Sequence, residues 1–122
     1  MVRPVIPTQL KILIKELQEG DWLAHCLELD IVTVAPSPQE ATDDILELIC
    51  AQIRYAAEND NWDYLYKDAP KEVWDEYLAC PETPRRLKVD VSLQEGKEAK
   101  EVTHAPVYFS VCSLKHGDVY DS

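Results

Sequence analysis

The sequence predicts an α/β domain of the α+β kind: a three-stranded antiparallel β-sheet with one long helix packed on it, in the order β-β-β-α, plus a short second helix and a C-terminal β-hairpin. Three observations carry this. Two runs dense in Ile, Leu, Val and Trp, LKILIKELQEG and DWLAHCLELDIVTVA, meet at Gly20-Asp21, the punctuation of a hairpin. The stretch SPQEATDDILELICAQIRYAAEND then repeats its apolar residues every three or four positions, as a helix lying on a sheet must. In the C-terminal third the helical period disappears and apolar residues alternate with polar ones, the pattern of strands.

Taken in order, the first run gives strand one and Trp22 to Cys26 gives strand two, with Val32-Thr33-Val34 as a short third strand. Ser37-Pro38-Gln39-Glu40 opens the long helix as a capping box. The Ser37 hydroxyl accepts from the Glu40 N–H, the Glu40 carboxylate reaches back to the Ser37 N–H, and Pro38 stands where no donor is missed. The helix should run from 38 to about 58 and bury a stripe of Ala41, Ile45, Leu48, Ile49, Ile53 and Ala56. Asp43, Asp44 and Glu47 lie off that stripe, where acids also favour the helix dipole. Asn59-Asp60-Asn61 ends it.

The segment WDYLYKDAPKEVWDEYLACPETP gathers Trp62, Tyr64, Leu65, Tyr66, Val73, Trp74, Tyr77 and Leu78. Asp68 can cap a second helix from 69 to about 79 with Pro70 in its first turn, leaving Val73, Trp74, Tyr77 and Leu78 on one face. After the connector CPETP, RLKVDVSL and APVYFSVCSL read as the two strands of a hairpin around an ionic turn, QEGKEAKE. The tail KHGDVYDS reads as frayed. Strand two is apolar on both faces, Trp22, Ala24 and Cys26 on one and Leu23 and Leu27 on the other. Both sheet faces therefore want cover, the second from the aromatic segment and hairpin or from another chain.

At 122 residues the chain suits a single domain over 1–122, with a core over 10–60, an aromatic helical segment over 61–80 and the hairpin over 85–114. With 23 acidic against 12 basic side chains the net charge is −11. Phosphate backbones are repelled by such a surface, and the tight basic cluster is Arg85-Arg86-Lys88, so a basic protein is the better partner. The N-terminal MVRPVIPTQL lacks the continuous apolar core of a signal peptide and no run is long enough to span a bilayer, which makes a cytoplasmic protein the expectation. Cys26, Cys50, Cys80 and Cys112 are widely spaced without a C-x-x-C pair, and reduced, buried thiols are expected.

No enzyme is indicated. There is no G-x-G-x-x-G, Walker loop, G-x-S-x-G or H-E-x-x-H, and three glycines are few for a phosphate-cradling loop. Asp21, Glu28 and Asp30 are candidates for nuclease metal ligands, but Asp21 occupies a turn at the far end of the strand from Asp30. His25 and Cys26 are adjacent in a strand, so they point to opposite faces and form no nucleophilic pair. His25 reads as a partly buried histidine satisfied by backbone or water, and nothing near His104 or His116 suggests an activated site. The expected inventory holds no catalytic, cofactor-binding or metal residues and no cofactor.

Residues Trp22-Leu23-Ala24-His25-Cys26-Leu27-Glu28-Leu29-Asp30, then Val32-Thr33-Val34, then Ser37-Pro38-Gln39-Glu40-Ala41 resemble the HicB-like antitoxin family of prokaryotic toxin–antitoxin pairs. The resemblance implies a degenerate ribonuclease-H-like core without catalytic carboxylates, which blocks a small basic HicA-type toxin that cleaves messenger RNA. Two features depart from the family. Asp30-Ile31 and Ala35-Pro36 replace its usual Pro-Gly and Gly, and residues 83–122 look like strands where many members carry a DNA-binding module, so DNA binding is not carried over. The expectation is a non-enzymatic, antitoxin-like protein-binding domain, with Trp62, Tyr64, Tyr66 and Trp74 as candidate partner contacts and a dimer or tetramer as its assembly. The alternatives are an orphan regulatory or scaffold protein of the same fold without a toxin, and a small metal-dependent nuclease or hydrolase.

Overall fold

The computed structural model describes residues 9–81, 83–93 and 103–114. Its first strand, β1 (Gln9–Glu16), carries Leu10, Ile12 and Ile14 on one face and Leu13 on the other, all at most 2% exposed. A strand that apolar on both sides must be paired at both edges and covered on both faces. It takes the middle of one mixed sheet, completed by β2 (Trp22–Cys26), β3 (Ile31–Ala35), β4 (Arg85–Leu93) and β5 (Thr103–Leu114) in the order β3-β2-β1-β5-β4.

The hairpin at Gly20-Asp21 forms as expected. The Leu17 N–H donates to the Asp21 carbonyl at 2.7 Å, and Gly20 adopts the left-handed φ of +92° that the turn needs. Strands β1, β2 and β3 are antiparallel, Leu13 lying opposite His25 and His25 opposite Val32.

The C-terminal strands depart from expectation. They do form an antiparallel hairpin, Lys88 opposite Tyr108, but it is not a separate element beside a three-stranded sheet. β5 pairs in parallel with β1, Ile12 opposite Val111, and makes a five-stranded mixed sheet. The cause is the second edge of β1, whose buried N–H and C=O groups need partners that β2 cannot supply. The ionic turn 94–101 and the tail after 114 lie outside the described residues.

Helix α1 (Pro38–Asn59) opens with the Glu40 N–H donating to Ser37 Oγ at 3.1 Å and with Pro38 in its first turn. It closes on Asp60, left-handed at φ 51°, whose N–H reaches the Ala56 carbonyl. Ala41, Ile45, Ile49, Ile53 and Ala56 are buried on Ile12, Ile14, Ala24, Cys26, Phe109 and Val111. Leu48 is the exception to the expected stripe: it is 40% exposed, because it sits on the shoulder of the helix rather than on the line of Ile45, Ile49 and Ile53.

A 3-10 turn (Trp62–Tyr64) leads to helix α2 (Lys71–Leu78). Here too a local expectation fails. Asp68 makes no cap; the helix begins after Pro70 (φ −55°, ψ 151°), since the ring of Pro70 pushes its predecessor out of the helical region. Leu78 is 73% exposed and leaves the apolar face to Val73, Trp74 and Tyr77.

Those residues cover the second face of the sheet, on Leu13, Leu27, Cys112 and Leu114. The expected division of labour is thus half observed: the aromatic segment covers that face, whereas the hairpin extends the sheet edgewise. The expectation of reduced thiols holds for Cys26 and Cys50 and fails for the other two. Cys80, just past α2, and Cys112, buried in β5, form a disulfide. They stand 32 residues apart and meet only when α2 folds back over the sheet, a proximity that sequence spacing does not reveal. No helix among the described residues is long and apolar enough to cross a membrane.

Candidate partner interface

The outer surface of α1 combines charge and apolar area. Glu40, Asp44, Glu47 and Glu58 are all exposed, and Leu48, Ala51 and Tyr55 lie among them. At 3.6 residues per turn these seven side chains fall within an arc of roughly 100°. Tyr55 is 57% exposed and Leu48 40%. Arg54, the one basic residue of the helix, sits on the flank of this arc. The arc sets an apolar patch beside carboxylates along one flank and at both ends; in protein contacts generally an apolar centre gains by desolvation and flanking charges steer encounter.

The folding of this helix explains why the stripe is presented. The buried line of Ile45, Ile49 and Ile53 fixes the rotation of α1 on the sheet, and the Ser37 cap and left-handed Asp60 fix its ends. With rotation and length set, Leu48 and Tyr55, seven residues apart, must share one exposed side.

The four aromatic candidates divide. Trp62 packs on the main core and Trp74 on the second, where Lys11 Nζ stands 5.6 Å from its ring centre. These two are half-buried and hold the fold together. Tyr64 is 78% exposed and Tyr66 41%, so both reach the surface. Partial burial pushes the Tyr66 hydroxyl above its ordinary pKa. Leu48 and Tyr55 were not singled out as contacts by sequence; the signal that could have found them is an apolar pair seven apart amid helix carboxylates.

The carboxylates suspected of metal chemistry are engaged elsewhere. Glu28 accepts from the Lys11 N–H at 2.8 Å and pairs with Lys11 Nζ at 3.2 Å. Asp30 Oδ1 lies 2.6 Å from His25 Nε2, so the partner of His25 is a side-chain carboxylate rather than backbone or water. His25 is 8% exposed, and Asp30 holds the bond from a left-handed turn at φ 52°. Asp21 stands beyond the other end of β2, some five residues or about 17 Å away. Among the described residues no group of three His, Cys, Asp or Glu side chains is placed to hold a metal ion.

Cys26 faces α1 beside Ile12, opposite in direction to His25, as strand alternation requires. Burial pushes its thiol up from the ordinary 9.0 to about 12, which makes it an inert core group rather than a nucleophile. Cys50 is also raised by burial, with Arg54 acting weakly the other way.

The second face is held by ion pairs that bridge its elements. Lys15 Nζ meets Glu76 Oε2 of α2 at 2.8 Å, and Lys11 joins β1 to the turn after β2 through Glu28. Tyr77 Oη donates to the Ser110 carbonyl at 3.3 Å, tying α2 to β5. No protein-family model, curated protein or solved structure matches this chain.

Proposed function

We propose that this chain is a non-enzymatic binding domain that captures and blocks a small basic protein, in the manner of the HicB-like antitoxins it resembles, with a HicA-type ribonuclease as the sharpest candidate partner. The single observation that carries the reading is the stripe of Leu48, Ala51 and Tyr55 on α1, flanked by Glu40, Asp44, Glu47 and Glu58. The net charge of −11 supports it, because long-range attraction raises the encounter rate with a cationic partner. Two further features favour binding over chemistry. Glu28 and Asp30 already have basic partners within the fold, and the one strongly perturbed thiol is buried in the core. The partner's RNA-binding Lys and Arg would meet Glu40, Asp44, Glu47 and Glu58, and its substrate path would be closed by the same contact.

A second copy fits the other end of the sheet. β3 is an edge strand with Val32 46% and Val34 50% exposed and no charge between 31 and 35, a combination that proteins otherwise blunt or pair. A dimer through β3 leaves the α1 stripe of each copy free. The assembly acts in the cytoplasm, beside a messenger-RNA-cleaving partner.

The test is co-expression with a small basic ribonuclease encoded beside this chain, followed by co-purification and a cleavage assay. The expected outcome is a complex that loses affinity as salt rises and a ribonuclease that regains activity when Tyr55→Ala and Glu47→Lys are introduced together. A fully active ribonuclease in the presence of excess wild-type protein would remove this reading.

A further inference from the structure

On the face of the sheet opposite α1, beyond the cover of α2, lies a cavity of about 290 Å³ lined by Gln9, Arg86, Tyr108, Phe109 and Ser110. Strand register explains how it is built. Arg86 stands opposite Ser110 and Lys88 opposite Tyr108 across β4 and β5, while Gln9 of β1 stands opposite Tyr108 on the other side. Arg86 and Lys88 are two apart in one strand, so both project on this face about 7 Å from each other. Both are exposed, and among the described residues neither has a carboxylate partner. The other two lysines of this face, Lys11 and Lys15, are each paired with a glutamate. Asp90, two further along β4 on the same face, forms no ion pair with either, so in a chain of net charge −11 two unpaired cations stand side by side where an anion can bind.

The ring of Tyr108 gives the site its second half. It is 48% exposed beside these cations, whereas its neighbours in sequence, Val107 and Phe109, are buried on the α1 side. An exposed aromatic on a sheet, flanked by cations, offers a stacking surface for a planar heterocycle. Arg86 offers a fork of donors that matches a phosphate oxygen pair, and the Gln9 amide offers one donor group and one acceptor to a ring edge. The volume is close to the lower bound for a small-molecule pocket, suited to one nucleotide unit rather than a duplex or a large cofactor.

We propose that this pocket binds a mononucleotide, with its phosphate on Arg86 of the lining and reached by Lys88 from beside it, and its base stacked on Tyr108. The free nucleotide is favoured over a unit within an RNA strand, because the surrounding acidic surface repels a polyanion and attenuates with distance only over a Debye length of roughly 8 Å at physiological salt. The site is independent of the α1 stripe, which lies on the other side of the sheet, so either can be lost without the other.

The experiment is calorimetric or fluorescence titration of the full chain with AMP, GMP, CMP and UMP, with adenosine, with inorganic phosphate and with a uridine decamer. Binding of at least one nucleoside monophosphate is expected, tighter than adenosine or phosphate alone. Arg86→Gln should weaken the nucleotide by about tenfold or more while leaving adenosine unchanged. Tyr108→Ala should weaken both by at least about fivefold, and Tyr108→Phe should retain them. Lys71→Ala, on the exposed start of α2, should change nothing, and unchanged circular dichroism of each variant certifies the fold. No saturable binding of any monophosphate up to millimolar concentration overturns the proposal, as does binding indifferent to Arg86→Gln and Tyr108→Ala. A decamer bound more than tenfold tighter than every monophosphate overturns the choice of the free nucleotide as ligand.

Discussion

Cutting the Cys80–Cys112 disulfide tests how much of the second face rests on one covalent tie. The bond closes a loop of 32 residues between the end of α2 and the C-terminal part of β5. In the chain-entropy account, closing such a loop removes about 12 cal/mol/K from the unfolded ensemble, or about 3.7 kcal/mol at 25 °C. Little else resists its loss, since α2 spans only Lys71–Leu78 and seats one fully buried side chain, Tyr77. Reduction, or Cys80→Ser, should therefore lower the urea midpoint by more than about 1 M, taking a slope of 1–3 kcal/mol/M for a domain of this size. The assay is equilibrium urea unfolding followed by far-ultraviolet circular dichroism, with and without reductant. Hydrogen exchange adds the spatial readout: protection should fall first at the amides of α2 and least at β1. Coincident unfolding curves for the oxidised and reduced protein would refute the reasoning, because the loop entropy is removed whatever the native packing does. The outcome also bears on place of action. Disulfides persist in oxidising compartments, so a cytoplasmic protein would keep α2 on the sheet through Tyr77, Trp74 and the Lys15–Glu76 pair alone.

Ile49→Ala, in the fully buried line of α1, should cost about 2–5 kcal/mol, read as a lowered thermal midpoint with the secondary structure retained below it. Asp60→Gly should stabilise by up to about 1 kcal/mol, since glycine adopts the left-handed helix end without the penalty a side chain carries; a lower melting temperature would speak against that geometry. The Cys26 thiol binds its proton more tightly folded than unfolded, so its contribution to stability is whole below pH 9.0 and is lost as pH rises toward about 12. Alkaline unfolding of the wild type should therefore be steeper between those values than that of Cys26→Ala, and identical profiles would show that the thiol is not buried.

What the sequence disclosed of the fold is the part that depends on short range. The Gly20-Asp21 turn, the Ser37 cap with Pro38, and the Asn59-Asp60-Asn61 stop each act through neighbours within four residues, and each is where expected. Parallel pairing of β1 with β5 has no such local sign. Its register, Ile12 on Val111, is fixed by two partners separated by α1, α2 and β4, and nothing in either strand names the other. The same limit hid the disulfide. Cys80 looked like part of a connector and Cys112 like a core residue, and both descriptions hold; only the return path of α2 makes them neighbours. Asp68 failed as a cap for a different reason, since the constraint Pro70 places on the residue before it outweighed a favourable capping side chain two positions away.

The candidate sites were harder to read because they depend on what is left uncovered. Apolar periodicity assigns a residue to a face, yet Leu48 satisfies the three-four spacing of the core stripe and still emerges, since Ile45, Ile49 and Ile53 centre the contact away from it. Trp74 and Tyr64 are equally interface-like by type; one is capped by Lys11 and turned from α2 onto the sheet, the other is 78% exposed. For Arg86 and Tyr108 the sequence supplied the cations but not their setting, because the pairing of β5 with both β1 and β4 is what brings them beside Gln9. Tyr77 meets the Ser110 carbonyl, and two residues away along β5 Tyr108 is 48% exposed. The pocket is lined by β1, β4 and β5 and the stripe by α1 alone, so the two candidate functions draw on separate features of the chain: one on the rotation of a long helix, the other on the register of strands that are far apart in sequence.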